Sequence, residues 1–135
     1  MKKLVIGLLV LFVLAACTGG ASASINGQWK LVSHGSASSQ TPAAPDVDTS
    51  IEFGADGQMN GNVGCNSFGG EFKVDGDTVT FGPVMSTMMF CEGPVGDQEM
   101  ATVAVFQESA KFVLDGDTLT ITSADGNSVI VLARK

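Results

Sequence analysis

Asp-Gly recurs along this chain wherever a run of alternating polar and apolar residues stops, and no other feature constrains the fold as tightly. Ile51-Glu52-Phe53 leads to Asp56-Gly57 and then to Gln58 through Cys65. Glu71 to Val74 leads to Asp75-Gly76-Asp77 and then Thr78 to Phe81, while Lys111 to Leu114 leads to Asp115-Gly116-Asp117 and then Thr118 to Ile121. Glycine accepts the positive φ that a tight hairpin turn requires, and a neighbouring aspartate caps local backbone amides. Each segment therefore predicts an antiparallel hairpin with one buried face. Gln28 to Val32 alternates in the same way, and Thr122 to Gly126 turns the chain into a last strand over Ser128 to Ala133. Glu71–Phe81 and Lys111–Ile121 align at an offset of 40 residues. That likeness is compatible with a duplication and equally with two independent solutions to one hairpin problem.

One stretch breaks the strand pattern. Asp97 to Ala110 lacks Gly and Pro, and Met100, Val103, Phe106 and Ala110 recur at helical spacing. Asp97 suits the N-cap and Glu99 the positive end of the helix dipole, so the spacing predicts a helix of about three turns covering the sheet. His34 to Val47 is rich in Ser, Ala and Pro and reads as the one long loop. The fold class expected is α+β: a small, mostly antiparallel β-sheet or open barrel of about 7–8 short strands with one helix packed on it.

The front of the chain has another character. Lys2 and Lys3 precede an apolar run from Leu4 to Ala16, the order of an export signal. A membrane-spanning helix needs roughly 20 apolar residues, and this run has about 13. Leu14-Ala15-Ala16-Cys17 resembles the lipobox of bacterial lipoproteins, which implies cleavage before Cys17 and a diacylglyceryl group on its thiol. More than one acyl chain anchors a protein far better than a single one. The organisation expected is a signal peptide over 1–16, lipidated Cys17 with a flexible tether over 17–24, and a domain over 25–135. The place expected is the cell envelope, on a membrane surface facing the periplasm or the exterior.

Loss of Lys2 and Lys3 takes the formal charge from −7 to −9, with 5 basic against 14 acidic side chains. Such a domain repels phosphate backbones and anionic lipid, which excludes nucleic acid as a partner and leaves membrane affinity to the lipid. With Cys17 acylated, Cys65 and Cys91 remain as a pair. An even pair in an exported domain reads as a disulfide, here closing a loop of about 27 residues worth roughly 3–4 kcal/mol by chain entropy. Spacing alone does not show that the two cysteines meet.

No catalytic constellation stands out. The one histidine, His34, falls in the expected loop and reads as solvated, and the aspartates sit in turns. Asp75-Gly76-Asp77 lacks the spaced carboxylates and closing glutamate of an EF-hand. Met85, Met88, Met89 and Cys91 offer soft ligands of the kind that select Cu(I). The structural alternative has Met88 and Met89 straddling a strand or turn, one in the core, with Cys91 paired to Cys65. Asn66 reads as a left-handed turn residue or as a group binding backbone in the core.

Gly64-Cys65-Asn66-Ser67-Phe68-Gly69-Gly70, followed later by Ser86-Thr87-Met88-Met89-Phe90-Cys91, resembles the paired signatures of the META domain, whose bacterial members include heat-inducible HslJ-like lipoproteins. Trp29-Lys30-Leu31, Phe53 to Gly57, Phe72, Glu99, Phe106 and Gly116 to Leu119 fit as well, so the likeness runs from about Ile25 to Arg134. The long Ser/Ala/Pro segment before Ile51 departs from it. The resemblance implies an envelope protein linked to heat shock, drug tolerance or virulence-associated secretion, with no catalytic residue to carry over. It implies structural roles for Gly64, Asn66, Phe68, Gly70, Thr87 and Met88, and it supports the pairing of Cys65 with Cys91. The function expected is a non-enzymatic, membrane-anchored module that binds an envelope protein or maintains the envelope under stress, without cofactor or metal. The alternatives are an inhibitor or sensor of an exported hydrolase and a Cu(I)-handling lipoprotein.

Overall fold

Each of the four Asp-Gly pairs sits at a hairpin tip, Asp125-Gly126 being the one in the turn before the last strand. Asp56-Gly57 joins β3 (Ser50–Phe53) to β4 (Gln58–Asn62), Gly76 lies between β5 (Ser67–Asp75) and β6 (Thr78–Phe81), and Gly116 lies between β8 (Ser109–Asp115) and β9 (Thr118–Ser123). Gly57, Gly76 and Gly116 have φ of 80°, 61° and 57°, in the region where a Cβ is penalised. At the first tip the carboxylate oxygen of Asp56 accepts the Gln58 amide at 3.0 Å. These elements come from a computed structural model, which describes residues 24–135. The expected signal segment, Cys17 and the tether as far as Ala23 lie outside the described residues. No helix among the described residues is long and apolar enough to cross a membrane.

The strands close into a ring. From β1 (Gly27–Ser36) the order runs through β3, β4, β5, β6, β8 and β9 to β10 (Val129–Arg134), with every neighbouring pair antiparallel. β10 then pairs back onto β1 from Trp29↔Arg134 to Gly35↔Val129, giving an eight-stranded barrel. This agrees with the fold class read from the sequence. Two short strands stand outside the ring, each paired on one side: β2 (Ser39–Pro42) on β1 and β7 (Met85–Ser86) on β5. Alternate residues of the ring point inward and fill it, among them Trp29, Ile51, Phe53, Val79, Leu119, Ile121 and Ile130, all fully buried. Burial of this apolar surface is the main favourable term for folding.

Two expectations fail, for identifiable reasons. The segment from His34 is not one long loop. β1 continues to Ser36, turns, and returns as β2, so Ser33–Ser36 pair with Pro42–Ser39. Ser, Thr and Gln can occupy an exposed edge strand, and composition alone does not separate that from a loop. His34 is therefore a strand residue, 7% exposed and opposite Ile130, not a solvated loop residue. The single helix among the described residues, α1, spans Gly93–Val105 and not Asp97–Ala110. Its N-cap is Glu92, a proline stands in its first turn, and Asp97 lies inside it. Ala110 belongs to β8. Gly93, Pro94 and Gly96 look like breakers, yet proline is welcome where the first helical N–H has no partner anyway.

Candidate functional site

The β4–β5 connection carries Gly64, Cys65 and Asn66 to one end of the barrel, beneath α1 and beside the segment that follows β7. Gly64 has φ 134°, and a Cβ there would come within 2.6 Å of Val95 on α1, so only glycine fits. Asn66 is 5% exposed and does not adopt a left-handed conformation. Of the two roles open to it, it takes the one of binding groups in the core. Its backbone N–H and its Nδ2 donate to the two carboxylate oxygens of Glu99, each at 2.6 Å. Nδ2 also donates to the Met89 carbonyl at 3.0 Å, and Oδ1 accepts from Thr87 Oγ1 at 2.7 Å and the Met89 amide at 2.8 Å. The Thr87 hydroxyl accepts in turn from the Ser67 amide at 3.2 Å. One amide thus ties three separate segments together.

The cysteines flanking this node form a disulfide, with Cα atoms of Cys65 and Cys91 6.3 Å apart. Both sulfurs and a Glu99 oxygen lie within 4.8 Å of one another, but the bond leaves neither sulfur as a thiolate ligand. The expectation that Met88 or Met89 packs in the core is overturned: they are 93% and 60% exposed. Asn66 grips both the amide and the carbonyl of Met89, so the backbone lies against the protein and the side chains project outward. Phe68 and Gly70 serve the barrel itself. Phe68 is buried against Phe106, ring centroids 5.7 Å apart, and a Cβ on Gly70 would stand 3.0 Å from the Pro83 carbonyl.

Glu99, expected at the positive end of the helix, instead lies in the middle of α1, where it is 9% exposed and set against Asn66. The buried face of α1 is Gly96, Gln98, Glu99, Thr102 and Val105, while Met100 is 74% exposed. Gln98 Nε2 donates to the Val63 carbonyl at 2.5 Å and Oε1 accepts from Ala44 at 2.8 Å, so polar side chains dock the helix. An apolar periodicity search misses such a face. Pro94 was the one available sign that the helix begins a turn earlier.

Between β7 and α1 lies a groove of about 630 Å³, within the range of ligand pockets. Met88, Met89 and Phe90 form one wall, Met100, Val103 and Ala104 the other, and Asn66 and Glu99 also line it. Phe90 and Met100 are 87% and 74% exposed, so the mouth of the groove is apolar as well. Among the described residues, none that line the groove form a nucleophile–base pair. His34, held below its ordinary pKa by burial against a smaller opposing pull from Asp97, does not line it.

The same chain pattern recurs elsewhere. A protein from Burkholderia xenovorans solved by NMR superposes with TM-score 0.64 at 16% identity, covering 82% of each chain. A second NMR structure gives TM-score 0.61 at 20% identity over 78% of this chain and 87% of the other. The crystal structure of a DUF4847 family protein from Bacteroides vulgatus gives 0.57 at 19% identity over 82% of this chain and 93% of its own. At such identities the likeness is one of fold. No curated protein matches the chain significantly. The META domain profile, however, matches residues 22–135. Those residues contain the whole barrel, its helix, the Asn66 node and the disulfide, and the chain belongs to the META domain family.

Proposed function

We propose that this chain is a lipid-anchored envelope protein and a non-enzymatic binding module, exported, cleaved before Cys17, and serving the envelope under stress. The Leu14-Ala15-Ala16-Cys17 motif behind the basic and apolar start of the chain carries the reading, and the position of Ser24 fits it. Ser24 and Ile25 lie beside Asp75, Gly76 and Asp77, at the C-terminal end of β5. The groove lies at the other end of that strand, beside Asn66, Ser86 and Thr87. β5 has 9 residues, which at about 3.3 Å each separates its ends by about 26 Å. A tether from a lipidated Cys17 to Ser24 would therefore hold the acidic hairpin tips toward the membrane and turn the groove away from it. Anionic lipid repels those tips, which favours a domain that stands off the surface.

The test is metabolic labelling with a fatty-acid analogue in the native chain and in Cys17→Ser. The native chain should take up label and fractionate with membranes, and the variant should do neither. Equal labelling of the two would overturn the proposal.

A further inference from the structure

We infer that the groove between β7 and α1 is a docking site for an extended, cationic peptide segment of another envelope protein, with apolar side chains seated among the methionines. This deepens the binding-module reading and rests on it.

Charge singles out the occupant. The groove walls are apolar, and Glu99 is their one ionisable residue. Among the described residues no basic side chain reaches the Glu99 carboxylate, whose oxygens are met only by the uncharged donors of Asn66. α1 contains no Lys or Arg, and no basic residue stands in its last turn. That turn, with Val103 and Ala104, borders the groove, so the negative end of the helix dipole adds to the carboxylate. Three of the domain's basic residues are already engaged with Asp77, Asp117 and Asp48. None of the five, Lys30, Lys73, Lys111, Arg134 and Lys135, lines the groove. A cation arriving there meets carboxylate, helix terminus and overall negative charge with nothing to oppose it.

Shape and side-chain type agree with an extended peptide. Among the described residues β7 pairs with β5 alone, and its Ser86 lines the groove, so its second edge is free to receive a strand. Met88, Met89 and Met100 are unbranched and polarizable, and such side chains adapt to apolar partners of varied shape. Three exposed methionines and an exposed phenylalanine lining one groove, Met88, Met89, Met100 and Phe90, also exceed the scattered apolar exposure that needs no explanation.

Methionine methyl NMR on the full chain in zwitterionic nanodiscs tests the proposal, with a readout that does not depend on lipidation. One probe is a synthetic peptide of alternating Leu and Lys, and the other replaces each Lys by Glu. The basic peptide should shift the methyl signals of Met88, Met89 and Met100 and leave that of buried Met59 in place, and added salt should weaken the effect. Met100→Lys changes a side chain that is 74% exposed, so the fold is kept. It should weaken binding of the basic peptide by about tenfold. Equal shifts with the acidic peptide, or none with either, would overturn the proposal. So would shifts that grow with protein concentration alone, which would make the groove an interface between copies of this chain.

Discussion

Asn66 carries two side-chain donor hydrogens and two acceptor lone pairs, and the protein uses all four. Glu99 Oε1 and the Met89 carbonyl receive the donors, and the Thr87 hydroxyl and Met89 amide supply the acceptor contacts. Sequence reading could single out this residue from its place between a cysteine and a glycine-rich run. It could not name partners that stand 21 to 33 residues away. Asn66→Ala removes these bonds and leaves the buried Glu99 carboxylate with one donor. Net hydrogen bonds of about 1 kcal/mol each, and more for one to a charge, give an expected loss of about 2–4 kcal/mol. Urea unfolding of the variant measures it, and a loss below about 1 kcal/mol would show the node to be structurally dispensable.

Helix α1 is docked by polar groups and by the absence of one methyl. A Cβ on Gly96 would collide with the Cys91 carbonyl oxygen and stand 2.9 Å from that carbonyl's carbon. The clash partner is backbone, beside the disulfide, and has little freedom to move. By helix propensity alone, Gly96→Ala would stabilise α1 by about 0.5–1 kcal/mol. The contact reverses the sign, and the expected result is a loss of about 1–3 kcal/mol from overpacking. Thermal unfolding of the variant decides between the two, since propensity raises Tm and the clash lowers it. Strand elements were far more legible than this helix. Their two-residue alternation and Asp-Gly tips are local properties, whereas the buried face of α1 is set by Val63, Ala44 and Asn66 across the fold.

On the scale of the whole molecule, closure by β10 on β1 buries His34 opposite Ile130 and gives stability a pH dependence. Burial lowers the His34 pKa below its ordinary value of 6.5, with Asp97 pulling weakly the other way. The folded state therefore favours the neutral ring, and the unfolded chain takes up a proton first as pH falls. The contribution is complete above 6.5 and is lost as pH drops through that value toward the lower folded one. Tm should fall between pH 7.5 and 5.5, and His34→Gln should flatten that slope. A slope unchanged in the variant would assign the effect elsewhere. Sequence alone determined the β-rich α+β class and the hairpins around Gly57, Gly76 and Gly116, because turn geometry and side-chain alternation act over short stretches of chain, whereas parity offered Cys65 and Cys91 as partners without showing that they meet. The tertiary structure alone decided the rest: which strand closes the ring, which face of α1 is buried, where Glu99 points, and that Met88 and Met89 stand outside the core. Each of these depends on hydrogen bonds or packing between segments far apart in the chain, and no local pattern encodes which segments will meet.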